Sequence, residues 1–431
     1  MNPAPVIEDW TRSRIRRTAT LTMIILLLAW SIDYIDRFAI GMALPSIGAE
    51  FGLSKTLQGL LVTTFAVVYL ACQVPAGFLA DRFGSRKPML VTLVLWSGFT
   101  ALTGLAGTFG VLLAMRALFG ISQGCFPAAS FKAVAERTTP DRRATVTGVM
   151  LAASGVGPGI APLIVAPLIA AVGWRHTFLW LALGGVLIGV LLWSLLPKPL
   201  PARLNATVDN APPVSASRRE VLRSLQLWKF AVLFCSMNML AYGLITWVPS
   251  YLLEARHVSM AQTGVLSAIP MLVTVVTTIL GGWLFDRFFA HRTRWFLASI
   301  TLGTAVLLGL MTAAGTTVEF TVYETLAIGL SGLSTMCVFG LPLRVLPPAL
   351  TGTGMSVLNF GGQVAGASSP LLMGWLADTF SYTAAFGLLI ATTALAAIFA
   401  FWVPQRPEQF RLGRAGRQGD GLGRDTAVAA P

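Results

Sequence analysis

Charge is the scarcest commodity in this sequence. Only 11% of its 431 residues are Asp, Glu, Lys or Arg, against roughly 25% in an average soluble domain, which excludes a water-soluble globular chain. The four cysteines, Cys72, Cys125, Cys235 and Cys337, all fall inside apolar runs, so no disulfide framework holds the fold. The three histidines, His176, His257 and His291, are scattered between runs and form no metal-ligating cluster. No Gly precedes a Lys anywhere, so the phosphate-cradling G-x-x-x-x-G-K-[ST] loop is missing and no nucleotide-hydrolysing motor is encoded. Gly120-Ile121-Ser122-Gln123-Gly124 fits G-x-S-x-G, but a nucleophile elbow needs a strand ahead of its turn and this stretch lies within an apolar helical run. Neither an enzyme nor a bound cofactor is expected.

Apolar length is abundant. Hydrophobic residues make up 55% of the chain and the mean hydropathy is +0.73, so the chain reads as an all-α, multi-pass membrane protein, with about 20 residues needed per crossing. Six runs come first, at Thr20–Leu44, Leu57–Leu79, Pro88–Ala106, Phe109–Ala128, Thr145–Val172 and Thr177–Leu196. Six more follow, at Phe230–Leu253, Gln262–Phe285, Trp295–Ala314, Val322–Leu341, Gly352–Leu376 and Tyr382–Val403. The organisation expected is therefore a tail over 1–19, a six-helix half over 20–196, a Pro-, Ala-, Ser- and Arg-rich linker over 197–229, a second half over 230–404, and a polar, Gly-rich, disordered tail over 405–431.

The net charge of +13 does not point to nucleic acid, because the basic residues sit in short segments between runs. They collect in alternate loops: Arg82, Arg86, Lys87, Arg137, Arg142 and Arg143 lie on one side, whereas the other holds little beyond Lys55, Arg175 and Arg256. The positive-inside rule then places both termini in the cytoplasm. The tail with Arg12, Arg14, Arg16 and Arg17 precedes a run of full spanning length with no small-residue cleavage site, so it reads as an anchor in the inner membrane and not as a signal peptide.

Inside the first run stands Asp33-Tyr34-Ile35-Asp36-Arg37. A charge near the centre of a spanning helix costs roughly 2.5 to 3.5 kcal/mol, so such groups face a protein interior or a water-filled path. Asp33, Asp36 and Arg37, at i, i+3 and i+4, share one helix face and can pair. A structural ion pair is the bland reading; a charged binding or proton-relay site is the functional one. Arg116 is a second intramembrane cation, with Gly120, Gln123 and Pro127 on its stripe. Two arginines from two helices suit a carboxylate, because guanidinium offers planar paired donors and stays charged; the alternative is that Arg116 snorkels or pairs with Asp36. Gly155 to Pro162 in the fifth run, and Gly361-Gly362-Gln363 to Pro370 in the eleventh, are candidates for close-packed, bending helices.

Gly77-Phe78-Leu79-Ala80-Asp81-Arg82-Phe83-Gly84-Ser85-Arg86-Lys87 after the second run has a partner in Gly282-Trp283-Leu284-Phe285-Asp286-Arg287-Phe288 after the eighth, an internal repeat of the kind that parallel-repeat transporters carry. The first of these resembles the G-x-L-a-D-R-x-G-x-R-K loop of the major facilitator superfamily. Within it the chain resembles the anion:cation symporter family: Asp33 to Arg37 is similar to N-Y-x-D-R, and Phe65, Tyr69, Gln73 and Pro75 to F-x-x-x-Y-x-x-x-Q-x-P. The stretch Tyr242-Gly243-Leu244-Ile245-Thr246-Trp247-Val248-Pro249 and Asn359 add to it. The resemblance implies a twelve-helix transporter working by alternating access, a gating role for Asp81, Arg82 and Arg86, and a cavity lined by Tyr34, Tyr69, Tyr242 and Asn359. It also implies an anion-binding role for Arg116 beside Arg37.

Two departures matter. Asp33 replaces the usual Asn, and Gln123 replaces the Glu that the family uses for proton coupling; Gln123 can bind or orient but cannot titrate. The expected proton carriers are therefore Asp36 and Asp33, with Asp36 paired to Arg37 until substrate takes the arginine. The partners expected are a small organic anion, a proton and membrane lipid, with the chain acting as a monomer. A uniporter, an exchanger, a drug or metabolite exporter and a transport-dead sensor stand as alternatives.

Overall fold

The computed structural model describes residues 11–201, 218–289, 292–346 and 348–404, and every regular element among them is helical. The chain runs α1 (Arg12–Phe51), α2 (Lys55–Phe83), α3 (Arg86–Gly104), α4 (Phe109–Arg137), α5 (Pro140–Leu195), the short α6 (Arg218–Leu222), α7 (Leu225–Glu254) and α8 (Met260–Leu284). After a π-helical turn at Phe285–Phe289 come α9 (Thr293–Ala313), α10 (Thr317–Val345), α11 (Pro348–Thr379) and α12 (Tyr382–Ala400). Nine helices among the described residues are long and apolar enough to cross a membrane. The fifth and sixth runs both lie in α5, which breaks at Gly173 (φ 77°, ψ 163°), a backbone conformation open in practice only to glycine.

Two boundaries differ from the hydropathy reading. α1 begins at Arg12, inside the segment expected as tail, and the expected linker ends early because Leu225–Lys229 already belongs to α7. Local hydrogen bonding sets such ends, and hydropathy does not register it: the Thr11 hydroxyl caps α1 by accepting from Arg14 N. Within the linker the described residues include the short α6, whereas residues 202–217 and the tail over 405–431 fall outside the described residues.

Helix starts at the end of the bundle remote from the termini are capped in the same way. Ser54, Thr108, Ser259, Thr316 and Ser381 each accept a bond from a first-turn backbone N–H, and Thr316 forms a full capping box with Glu319. In a medium without water these orphan donors must be met internally. Buried hydroxyls within the helices follow the same rule: Thr22 donates to Thr18 O, Thr103 to Phe99 O and Thr304 to Ile300 O.

The buried side chains sort into four clusters that keep to their own part of the chain. Two draw their buried members from residues 25–196, around Trp96 and Phe126 and around Leu112 and Phe178. Two draw theirs from 221–403, around Phe230 and Phe296 and around Trp247 and Phe386. Outside them lies a belt of bare apolar side chains, among them Phe78, Val94, Leu187, Ile279 and Leu302, all more than half exposed. A belt of that extent is what lipid covers.

Candidate functional site: a charged face of α1 and the cavity beside it

Asp33, Asp36 and Arg37 are buried at 1%, 1% and 7% exposure. The ion pair that forms is Arg37 Nη2 to Asp33 Oδ2 at 2.9 Å, not the Arg37–Asp36 pair expected from the sequence. The i, i+4 step stacks Arg37 over Asp33, whereas Asp36, one residue earlier, projects from another side of the helix. There its electrostatic partner is Arg116 of α4, and the Trp96 indole of α3 lies beside it. One acid and one arginine thus form each of two couples, linked through the repulsion between Asp33 and Asp36.

Arg37 lines a cavity of about 510 Å³ of non-atom space continuous with solvent, shared with Phe65 and Tyr69 of α2, Tyr242 and Thr246 of α7, and Gln363 of α11. Its guanidinium carbon stands 4.5 Å from the Tyr69 ring centre, 4.9 Å from Tyr34 and 5.4 Å from Phe65, a cation held over aromatic faces. Only part of the fork is used: Nε has no hydrogen-bond partner. Aromatic walls with one incompletely paired cation have the chemistry that suits a small anion.

Arg116 does not reach this cavity. It is fully buried, its guanidinium carbon 4.4 Å from the Phe119 ring centre, and none of its three nitrogens donates a hydrogen bond to a described residue. Both carboxylate oxygens of Asp36 are likewise unpartnered, and so, on α3, are the Trp96 indole nitrogen, Ser97 Oγ and Thr100 Oγ1. Gln123, read as a substrate contact, instead stitches α4 to α1 by donating from Nε2 to the Asp33 carbonyl at 3.1 Å. Asn359 is exposed on α11 and does not line the cavity; Gln363, one turn on, does. Tyr34 stacks on Phe38 and touches the site through Arg37.

Residues 26–370 match the family described as Major Facilitator Superfamily. The chain belongs to the major facilitator superfamily. It shares 31% identity over 409 residues with a probable sulfoacetate transporter of Cupriavidus necator, covering 89% of this chain and 94% of that protein. With a hexuronate transporter of Bacillus subtilis it shares 28% over 401 residues, again covering 89% and 94%. Its fold superposes with a TM-score of 0.82 on the crystal structure of a bacterial homologue of the human lysosomal transporter Spinster, at 18% identity and covering 91% and 98% of the two chains. The protein is a multi-pass inner-membrane transporter and not an enzyme.

The major facilitator loop lies between α2 and α3, as read. Arg86 donates to the Trp193 carbonyl, Arg82 is exposed against its neighbour Phe83, and the Asp81 side chain lies outside the described residues. The dense contacts belong to residues the sequence did not single out. Ser85 Oγ donates to Glu136 at 2.6 Å, and Arg137 donates to Ser85 Oγ at 2.7 Å and to the Pro197 carbonyl at 2.7 Å. Trp96, an indole midway along an apolar run, was the signal for the surroundings of Asp36.

At the end opposite the termini the transporter's two parts are joined directly. Asp378 at the end of α11 accepts from Lys55 N, Thr56 N and Thr56 Oγ1 at 2.5–2.7 Å, capping α2 across the divide, and Lys55 pairs with Glu254 of α7. Burial raises the Asp378 pKa, but the bonds from Thr56 and Lys55 outweigh it and hold the carboxyl below its ordinary value. A depressed carboxylate stabilises this contact at neutral pH and loses that contribution as pH falls through its range. Asp378→Ala is therefore expected to loosen the seal. With the four native cysteines replaced by alanine, Val62→Cys on the cavity wall should react several-fold faster with a membrane-impermeant thiol reagent in the Asp378→Ala background, and faster in acid when Asp378 is kept. Equal rates would place the seal elsewhere.

Proposed function

We propose that this transporter carries a small organic anion with a carboxylate or sulfonate group, in symport with protons, by alternating access between two six-helix halves (20–196 and 230–404). The reading takes twelve crossings, both termini cytoplasmic and a monomeric working unit. The observation that carries it is Arg37: a buried cation beside an aromatic-walled cavity, half satisfied by Asp33 and with Nε unpartnered. Relatives named for sulfoacetate and hexuronate transport support the substrate class. The joined ends at Asp378 support a state closed on the outer side and open to the cytoplasm.

Coupling follows from the two acid–arginine couples. A proton on Asp36 removes the counter-charge of Arg116, which is then free to swing its unused donors towards the anion held by Arg37 and to complete the two-arginine clamp. Tyr34, Tyr69, Tyr242 and Thr246 contact the remainder of the substrate, and Gln123 keeps α4 in register with Asp33. Asp81, Arg82 and Arg86 serve the gate on the cytoplasmic side.

The test is uptake into proteoliposomes against a panel of hexuronates, aldonates and sulfoacetate, with an acid-outside pH gradient. Uphill accumulation of at least one acid, abolished by a protonophore, is expected. An exchanger is the second reading, favoured by Gln123 standing untitratable at the α1–α4 contact; counterflow that a protonophore leaves untouched selects it. Transport of an organic cation and of none of these acids would overturn both.

A further inference from the structure

A second cavity, with about 330 Å³ of non-atom space that includes open solvent, adjoins the first and shares Phe38 and Ile245 with it. Its walls come from α1, α5, α7, α8 and α10, and nearly all of its lining is apolar, with Pro158, Pro162, Pro249 and Met271 prominent. Two side chains break that pattern. Glu324 of α10 is 1% exposed and its Oε2 accepts no hydrogen bond among the described residues; Ser267 of α8 is 7% exposed and its Oγ is likewise unpartnered. Some buried hydroxyls, such as Thr301 and Thr304, turn back to a carbonyl of their own helix and several do not. Ser267 is the one of these that lines this cavity together with an unpartnered carboxyl, and a donor and an acceptor left unused beside one cavity suit a ligand.

We propose that Glu324, with Ser267, forms a proton-binding site belonging to the C-terminal part of the transporter, separate from the Asp33–Arg37 and Asp36–Arg116 couples and divided from the anion cavity by Phe38 and Ile245.

No counter-charge reaches Glu324. The charged groups of the elements packed on α10 stand at helix ends: Lys229 and Glu254 on α7, Arg294 on α9 and Asp378 on α11, with none on α8. Its own helix carries Glu319 and Arg344 near its two ends, and burial alone, with no neighbouring charge, acts on Glu324. On α1 the mid-helix groups Asp33, Asp36 and Arg37 are engaged with one another and with Arg116, and its other charged groups, Arg12 to Arg17 and Glu50, stand near its ends. An ionised carboxylate enclosed without a partner is costly, and a proton cancels that cost. A proton sits on the carboxyl itself and needs no set of ligands; Ser267 is the one other polar side chain in the cavity lining. A metal cation would need several oxygen ligands, and the remaining lining side chains offer none.

The partition gives the site its use. Pro249 carries no N–H, so it leaves the Ile245 carbonyl without its usual helical donor at the wall common to both cavities. When the two parts rock, α7 and α8 move against α1 and α5 and the second cavity opens to water. The carboxyl can then release its proton and become charged, and a negative Glu324 beside the partition repels an anion that a neutral one tolerates. The first test below does not depend on the transport reading; only the consequence for stoichiometry rests on it.

Infrared difference spectra of the full-length protein in lipid nanodiscs, titrated across neutral pH, should contain a protonated-carboxyl stretch that is lost as pH rises and is missing from Glu324→Gln. In Ser267→Ala the same stretch should persist with a shifted frequency and midpoint. The proposal is overturned if wild type and Glu324→Gln give the same titrating bands, if Ser267→Ala leaves the band unmoved, or if sodium at constant pH removes it. Should Glu324→Gln fail to fold, the Ser267→Ala spectra decide alone. In proteoliposomes, Glu324→Gln should admit one proton fewer per anion than wild type. An unchanged ratio with the infrared band confirmed would leave the proton site standing and remove it from coupling, whereas loss of all transport in wild type would sink only the transport reading.

Discussion

Arg37→Lys should lose anion transport almost as completely as Arg37→Ala, although lysine keeps the positive charge. The guanidinium does three things that an ammonium cannot do together. It donates from Nη2 to Asp33 at 2.9 Å, lies with its plane among the Tyr34, Phe65 and Tyr69 rings, and keeps further N–H groups for a ligand in the cavity it lines. Lysine, a compact and strongly hydrated charge, would satisfy Asp33 or the substrate but not both. A hydrogen bond to a charged group is worth about 1.5–3 kcal/mol, so half-saturation should weaken roughly tenfold to a hundredfold. The measurement is concentration-dependent counterflow in proteoliposomes, with detergent gel filtration to show that the variants fold. Normal half-saturation in Arg37→Lys would place the anion elsewhere and leave Arg37 as the structural partner of Asp33.

Asp36→Asn should abolish uphill accumulation while downhill exchange persists at a reduced rate. Asp36 balances Arg116 across α1 and α4, and neither residue has a hydrogen-bonded alternative among the described residues. Asn presents nearly the same shape with no charge, a permanent imitation of the protonated state, so Arg116 stays released whatever the pH. The anion should then bind with little pH dependence, and proton entry should no longer accompany it. Asp33→Asn should behave differently: Arg37 would lose its one ion-pair partner among the described residues and bind anion more tightly, slowing release. The two acids lie one helical turn apart and titrate together, so both variants need measuring over about one to two units either side of neutral pH. If Asp36→Asn still concentrates substrate with proton entry, Asp36 is not the carrier.

The class of protein was legible because it rests on sums and on local pattern. Apolar run lengths, the alternation of arginine-bearing loops and the glycine-punctuated loop after the second run are properties of neighbouring residues, and the superfamily followed from them. So did the importance of the stretch from Asp33 to Arg37, since charge within a spanning helix is expensive wherever that helix finally packs. Helix ends were less legible. Where hydropathy alone placed them, at Thr20 and Phe230, capping and backbone bonding carried the helices further, to Arg12 and Leu225.

Which acid meets which arginine could not be read in that way, and the reason is geometric. Each residue turns a helix side chain by about 100°, so Asp33 and Asp36 are neighbours in sequence yet serve different partners, and the outcome depends on how α1 is rotated against α2, α3 and α4. Helices that are apolar nearly all round give no stripe to fix that rotation. For the same reason the sequence could not say that Arg116 is enclosed, that Gln123 bonds backbone rather than facing the cavity, or that Gln363 and not Asn359 lines it. Glu324 carried no signal beyond being one acid near the start of a run. Only the packing of α10 and α8 against α1, α5 and α7 brings it into one mostly apolar cavity lining with Ser267, with no charged side chain beside it in that lining.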